Sequence, residues 1–89
     1  MSRASQGQAP PRFLLYSRPG CGLCEDMLSE LAALPAVQAY GVDVVDVDSD
    51  HAARVRYGHK IPVLLFGGDL VCHGRLDAEE VHKALAQLR

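Results

Sequence analysis

The chain has 89 residues, 48% of them apolar and 22% charged, which suits one ordinary globular domain and leaves no material for a second. Nine Lys and Arg against eleven Asp and Glu give a net charge of −2, so the basic footprint that nucleic acid demands is missing. No apolar run approaches the roughly 20 residues of a membrane span, MSRASQGQAPPR lacks the apolar stretch of a secretory leader, and three Cys are too few for a disulfide-stapled secreted scaffold. The expectation is a cytoplasmic monomer that meets neither membrane nor nucleic acid.

Residues 1–11 are rich in Ser, Gln, Ala and Pro without apolar periodicity and read as a disordered N-terminal tail, with one domain over 12–89. Phe13 to Tyr16 form an apolar run stopped by Pro19 and Gly20, the pattern of a buried strand. Cys24, Met27, Leu28, Leu31 and Leu34 then recur at steps of three and four, predicting a helix that ends before Pro35. Val42, Val44, Val45 and Val47 supply a β-branched strand, and the interleaved Asp43 and Asp46 place it near an edge with one wet side.

A short helix follows, with Asp48 or Ser49 as its cap and Gly58 set to end it in a left-handed conformation. Val63 to Phe66 read as another buried strand, Gly67, Gly68 and Asp69 as a hairpin turn, and Leu70 and Val71 as the start of the returning strand. Asp77 caps a last helix with Glu79 and Glu80 in its first turn and Val81, Ala84, Leu85 and Leu88 as its inner stripe. The order β-α-β-α-β-β-α calls for an α/β fold. A right-handed crossover makes the first two strands parallel and the hairpin completes a four-stranded mixed sheet flanked by helices.

Cys21 and Cys24 form a C-x-x-C pair, a spacing that serves redox chemistry or zinc. A tetrahedral zinc site needs four ligands. Only Cys72 and one of His51, His59, His73 or His82 remain to complete it, and none forms a second close pair. No metal is therefore expected. Cys72, in the last strand, reads as a buried inert thiol.

The C-x-x-C directly after the first strand, Ile61-Pro62 directly before the third, and the strand order resemble the small bacterial glutaredoxin-like proteins of the thioredoxin and glutaredoxin superfamily. The resemblance covers 12–89. It implies a thioredoxin-like fold with a cis Ile61-Pro62 bond, Cys21 as nucleophile, Cys24 as the thiol that resolves the mixed disulfide, and reduction of protein or glutathione mixed disulfides. The chemistry suits the motif, because the attacking species is a thiolate and a helix N-terminus lowers a thiol's pKa. Glu25 and Asp26 follow at once and oppose that effect, so only moderate acidification is expected.

The same resemblance makes Arg18, Ile61, Pro62, Gly74 and Asp77 the substrate-binding residues. Arg18 takes the place of a base that pairs with a glutathione carboxylate, although a surface Arg in a loop is as readily just solvated. Ile61 offers backbone N–H and C=O to an extended peptide or to glutathione. Gly74 and Asp77 match a Gly-Gly-x-Asp segment that holds the other end of glutathione, but Arg75 stands in place of the second glycine and Asp77 is equally a helix cap. His59 and Lys60 precede Ile61 and read as exposed loop residues or as a bias toward acidic substrates. No bound cofactor is implied; glutathione fits as a co-substrate and thioredoxin reductase as an alternative partner, and the sequence names neither as the electron donor. The competing readings are a non-catalytic thioredoxin-fold binding module and a glutathione-assisted iron-sulfur cluster binder.

Overall fold

The computed structural model describes residues 11–88, so the tail expected over 1–11 lies, apart from Pro11, outside the described residues. The chain runs β1 (Phe13–Ser17), α1 (Gly22–Ala32), α2 (Pro35–Gln38), β2 (Val42–Asp46), a 3₁₀ turn (Val47–Ser49), α3 (His51–Tyr57), β3 (Val63–Phe66), β4 (Asp69–His73) and α4 (Ala78–Ala86). The sheet order is β2-β1-β3-β4. β1 pairs in parallel with β2, and antiparallel pairs join β1 to β3 and β3 to β4. This is the expected four-stranded mixed sheet, with β2 at an edge and its Val44 49% exposed.

Strand alternation divides the apolar residues between two faces. Phe13, Leu15, Leu64 and Phe66 join Met27 and Leu31 of α1, Val37 of α2 and Val81 of α4 in one buried cluster. Phe13 and Phe66 stack with centroids 4.4 Å apart, and Tyr40 meets Phe66 edge-on at 5.5 Å. Leu14, Tyr16 and Leu65 look to the other face, where Tyr16 stacks on Tyr57 of α3 at 5.3 Å.

Several elements differ from the pattern read in the sequence, each for a local reason. Leu34 ends no stripe of α1; it is the N-cap residue of α2, which Pro35 opens and whose Val37 is fully buried. α3 is capped by Asp50, which accepts the Ala53 N–H at 3.0 Å, and not by Asp48 or Ser49. Those two lie in the 3₁₀ turn, drawn there by the fully buried Val47 and by the Asp46 carboxylate, which accepts the Asp48 N–H at 2.9 Å.

Gly58 ends α3, but with φ −55° it is right-handed. Its need for glycine is steric, because a Cβ there would stand 2.6 Å from the Arg54 carbonyl oxygen. Leu28 and Leu88, expected on inner stripes, are 39% and 37% exposed; Leu88 falls past the end of α4.

Candidate active site

The site grows from one end of the sheet. The antiparallel register that sets Tyr16 opposite Val63 brings the loop leaving β1 beside the segment entering β3. The first of these carries Cys21 and the second Ile61-Pro62, so residues 40 positions apart in sequence share one edge of the molecule. The Ile61-Pro62 peptide bond is cis, Pro62 is buried, and its carbonyl accepts the Gly74 N–H at 2.8 Å. Gly74 adopts φ +79°, a left-handed geometry that favours glycine and turns the chain from β4 back toward α4.

Cys21 is the N-cap residue of α1. Its backbone N–H donates to the Arg18 carbonyl at 3.1 Å, and its Sγ accepts the Cys24 N–H at 3.1 Å. A sulfur at this position faces the unpaired N–H groups of the first turn, which favour negative charge. Cys21 and Cys24 are joined as a disulfide across Cα atoms 5.2 Å apart. The two sulfurs differ in access: Cys24 is only 3% exposed, packed behind the helix start, whereas Cys21 is half-buried at its rim. Glu25, Asp26 and Leu23 surround the pair and are exposed, Leu23 to 45%.

The remaining candidates divide. Ile61, Pro62 and Gly74 stand at the cysteine end of the sheet, with Leu23, Gly74 and Arg75 lining a common depression. Arg18 contributes its backbone there, but its guanidinium is taken: Nε and Nη2 donate to the two Asp48 carboxylate oxygens at 2.8 and 2.9 Å, and Nη1 donates to the Gly58 carbonyl at 3.4 Å. That hydrogen bonding raises the Arg18 pKa and holds the Asp48 carboxyl below its usual range. Arg18 is thus neither free nor simply solvated. The Asp77 carboxylate is likewise occupied, accepting the Glu79 and Glu80 N–H groups at 3.1 and 3.2 Å as the cap of α4.

Asp48 is the site residue the sequence did not announce. It lies 30 positions from Arg18 within an acidic run, where its own turn offered a sufficient local explanation. His59 and Lys60 are exposed. Cys72 is half-buried against the core, and burial pushes its thiol up. Among the described residues no group of three or more His, Cys, Asp or Glu converges on a point where a metal ion could sit. No helix among them is long and apolar enough to cross a membrane. A larger depression lies away from the cysteines, between α3 and the Leu14, Tyr16 and Leu65 face of the sheet.

Comparison with known proteins agrees with this architecture. The model of the glutaredoxin-like domain (DUF836) matches residues 12–86. Uncharacterized proteins of Mycobacterium bovis and Mycobacterium tuberculosis are 27% identical over 84 residues, covering 86% of this chain and 84% of each relative. The solution NMR structure of a Nitrosomonas europaea protein superposes with a TM-score of 0.76 at 26% identity, covering 86% of this chain and 93% of that one.

Proposed function

Because this chain belongs to the glutaredoxin-like domain family (DUF836), we propose that it is a thiol-disulfide oxidoreductase with Cys21 as nucleophile and Cys24 as resolving thiol. The observation that carries the reading is the asymmetric pair at the α1 N-terminus. Cys21 is half-buried at the rim and its sulfur accepts a backbone N–H, and Cys24, 3% exposed, lies directly behind it. A thiolate at Cys21 is the form that the helix start and the Cys24 N–H favour.

In the reduced protein the Cys21 thiolate attacks one sulfur of a substrate disulfide, forming a mixed disulfide and expelling the first substrate thiolate, which takes up a proton. Cys24, one helical turn away, loses its proton and attacks the Cys21 sulfur. The Cys21–Cys24 disulfide forms and the second substrate thiolate leaves, so the substrate gains two electrons and the protein loses two. The burial of Cys24 confines it to this second, intramolecular step. Ile61, half-buried before Pro62, supplies backbone groups to an extended substrate, and Gly74, whose N–H donates to the Pro62 carbonyl, borders a depression shared with Leu23. A thiol donor, glutathione or a thioredoxin reductase, returns the pair to dithiol, and a reducing compartment such as the cytoplasm suits this cycle.

The test is a redox titration of the pair together with two variants. Cys24→Ser should accumulate a mixed disulfide on Cys21 that mass spectrometry detects, and Cys21→Ser should abolish reductase activity. A pair that stays reduced in a mildly oxidising glutathione buffer, with full activity in Cys21→Ser, overturns the proposal.

A further inference from the structure

Arg18 is tied to the nucleophile by one turn of backbone, since its carbonyl accepts the Cys21 N–H at 3.1 Å. Arg18 also lines one depression with Cys24, and its planar guanidinium is the group that a thiol bearing a free carboxylate would seek there as a bidentate partner. Asp48 already fills that fork, at 2.8 and 2.9 Å.

The carboxylate is set in place by its own turn. Val47 is fully buried, Asp46 accepts the Asp48 N–H at 2.9 Å, and the Ser49 hydroxyl donates to the Asp46 carbonyl at 2.7 Å. The guanidinium is fixed from its far side by the Gly58 carbonyl, at a point where a Cβ on residue 58 would stand 3.4 Å from Arg18 Nη2. Around the same sulfurs, the exposed Glu25 and Asp26 add charge of the sign that repels a carboxylate. Leu28 and Val44, 39% and 49% exposed, line a depression with Arg18 and Cys24.

We propose that Asp48 is a specificity-determining residue that occupies Arg18 in place of a substrate carboxylate, turning the dithiol away from small carboxylate-bearing thiols and toward disulfides of protein segments held by backbone and apolar contacts. The inference rests on the oxidoreductase reading above and deepens it. Asp48 touches no reacting atom, and its effect passes entirely through Arg18.

The experiment compares two mixed disulfides of one reporter peptide, with glutathione and with the uncharged 2-mercaptoethanol, using dithiothreitol as donor for both. In Asp48→Asn the ratio of kcat/KM for the glutathione over the neutral substrate should rise roughly two- to fivefold, the worth of an exposed ion pair, with the change residing in KM. The double variant Asp48→Asn with Arg18→Gln should return the ratio to its wild-type value. Asp48→Ala serves in place of Asp48→Asn if the amide disturbs the turn, and the same rise is expected. An unchanged ratio in both single variants, or a rise that persists without Arg18, overturns the inference while leaving the oxidoreductase reading standing. Wild-type protein that reduces neither substrate overturns both.

Discussion

Asp77 tests whether a residue that resembles a ligand anchor is instead a structural cap. One oxygen of its carboxylate accepts two N–H groups at the start of α4, from Glu79 at 3.1 Å and Glu80 at 3.2 Å. α4 contributes the fully buried Val81 to the core, so fraying of its first turn is felt by the whole domain. Replacing an N-cap Asp by Ala costs about 1 kcal/mol. Losing a negative charge at the helix start adds roughly 0.3 to 1 kcal/mol, at the low end here because Glu79 and Glu80 already supply charge to that turn. At about 5 °C per kcal/mol for a domain of this size, Asp77→Ala should lower Tm by roughly 5 to 10 °C.

Asp77→Asn keeps the acceptor oxygen and loses only the charge, so it should fall by about half as much or less. The assay is thermal unfolding of the oxidised protein by far-ultraviolet circular dichroism at low salt, with KM for a disulfide substrate measured on the same samples. A Tm for Asp77→Ala within about 1 °C of wild type refutes the cap. A raised KM in Asp77→Asn with Tm nearly intact gives the carboxylate a ligand to hold, whereas a Tm loss without a KM change leaves it only the helix.

In the fully reduced protein, Cys72 should alkylate well after Cys21 at near-neutral pH, because burial pushes its thiol up; peptide mapping that finds Cys72 modified first contradicts this. Gly74→Ala should destabilise by about 1 to 2 kcal/mol in urea unfolding. No atom lies within 4 Å of the added Cβ, so the whole cost is the φ of +79°, and an unchanged midpoint would mean the turn relaxes freely. Asp43 and Asp48 are held below the usual carboxylate range, chiefly by hydrogen bonds from Arg12 and Arg18. A depressed folded-state pKa contributes stability above the unfolded value of about 3.9, and that contribution is lost as pH falls through the folded value. Urea midpoints between about pH 5 and pH 2 should therefore decline less steeply in Asp43→Asn than in wild type; parallel declines would show that the Arg12 pair contributes nothing measurable.

The parts of this molecule legible in its sequence are those fixed by near neighbours along the chain. Strands built on Val63 to Phe66 and on Val42 to Val45, the helix opened by Cys21, and the Asp77 cap all follow from spacings of one to four residues. The pattern misleads where a second local solution exists. Asp48, Ser49 and Asp50 are all competent caps, and the choice of Asp50 depends on Val47 entering the core. Gly58 satisfies the statistics of a left-handed end, yet what excludes a side chain there is the Arg54 carbonyl. Pro35 both stops one helix and starts another, and the second leaves no mark in the pattern because α2 is only four residues long and its buried Val37 gives no periodicity to detect.

The candidate site shows the same division at the level of chemistry. Cys21 and Cys24 need only a helix start and three residues between them, so their placement was specified by the sequence around them. Arg18 and Asp77 carry charge, and the partner of a charged side chain is chosen by the whole fold. Asp48 reaches Arg18 from 30 residues away, and β2, which pairs in parallel with β1, carries the chain to the turn that holds Asp48. Two residues that the family resemblance assigns to a ligand are thus already answered by groups of the protein itself. The surfaces left open beside the cysteine pair are then Leu23 and Leu28 on α1, Val44 on the β2 edge, and the backbone at Ile61 and Gly74.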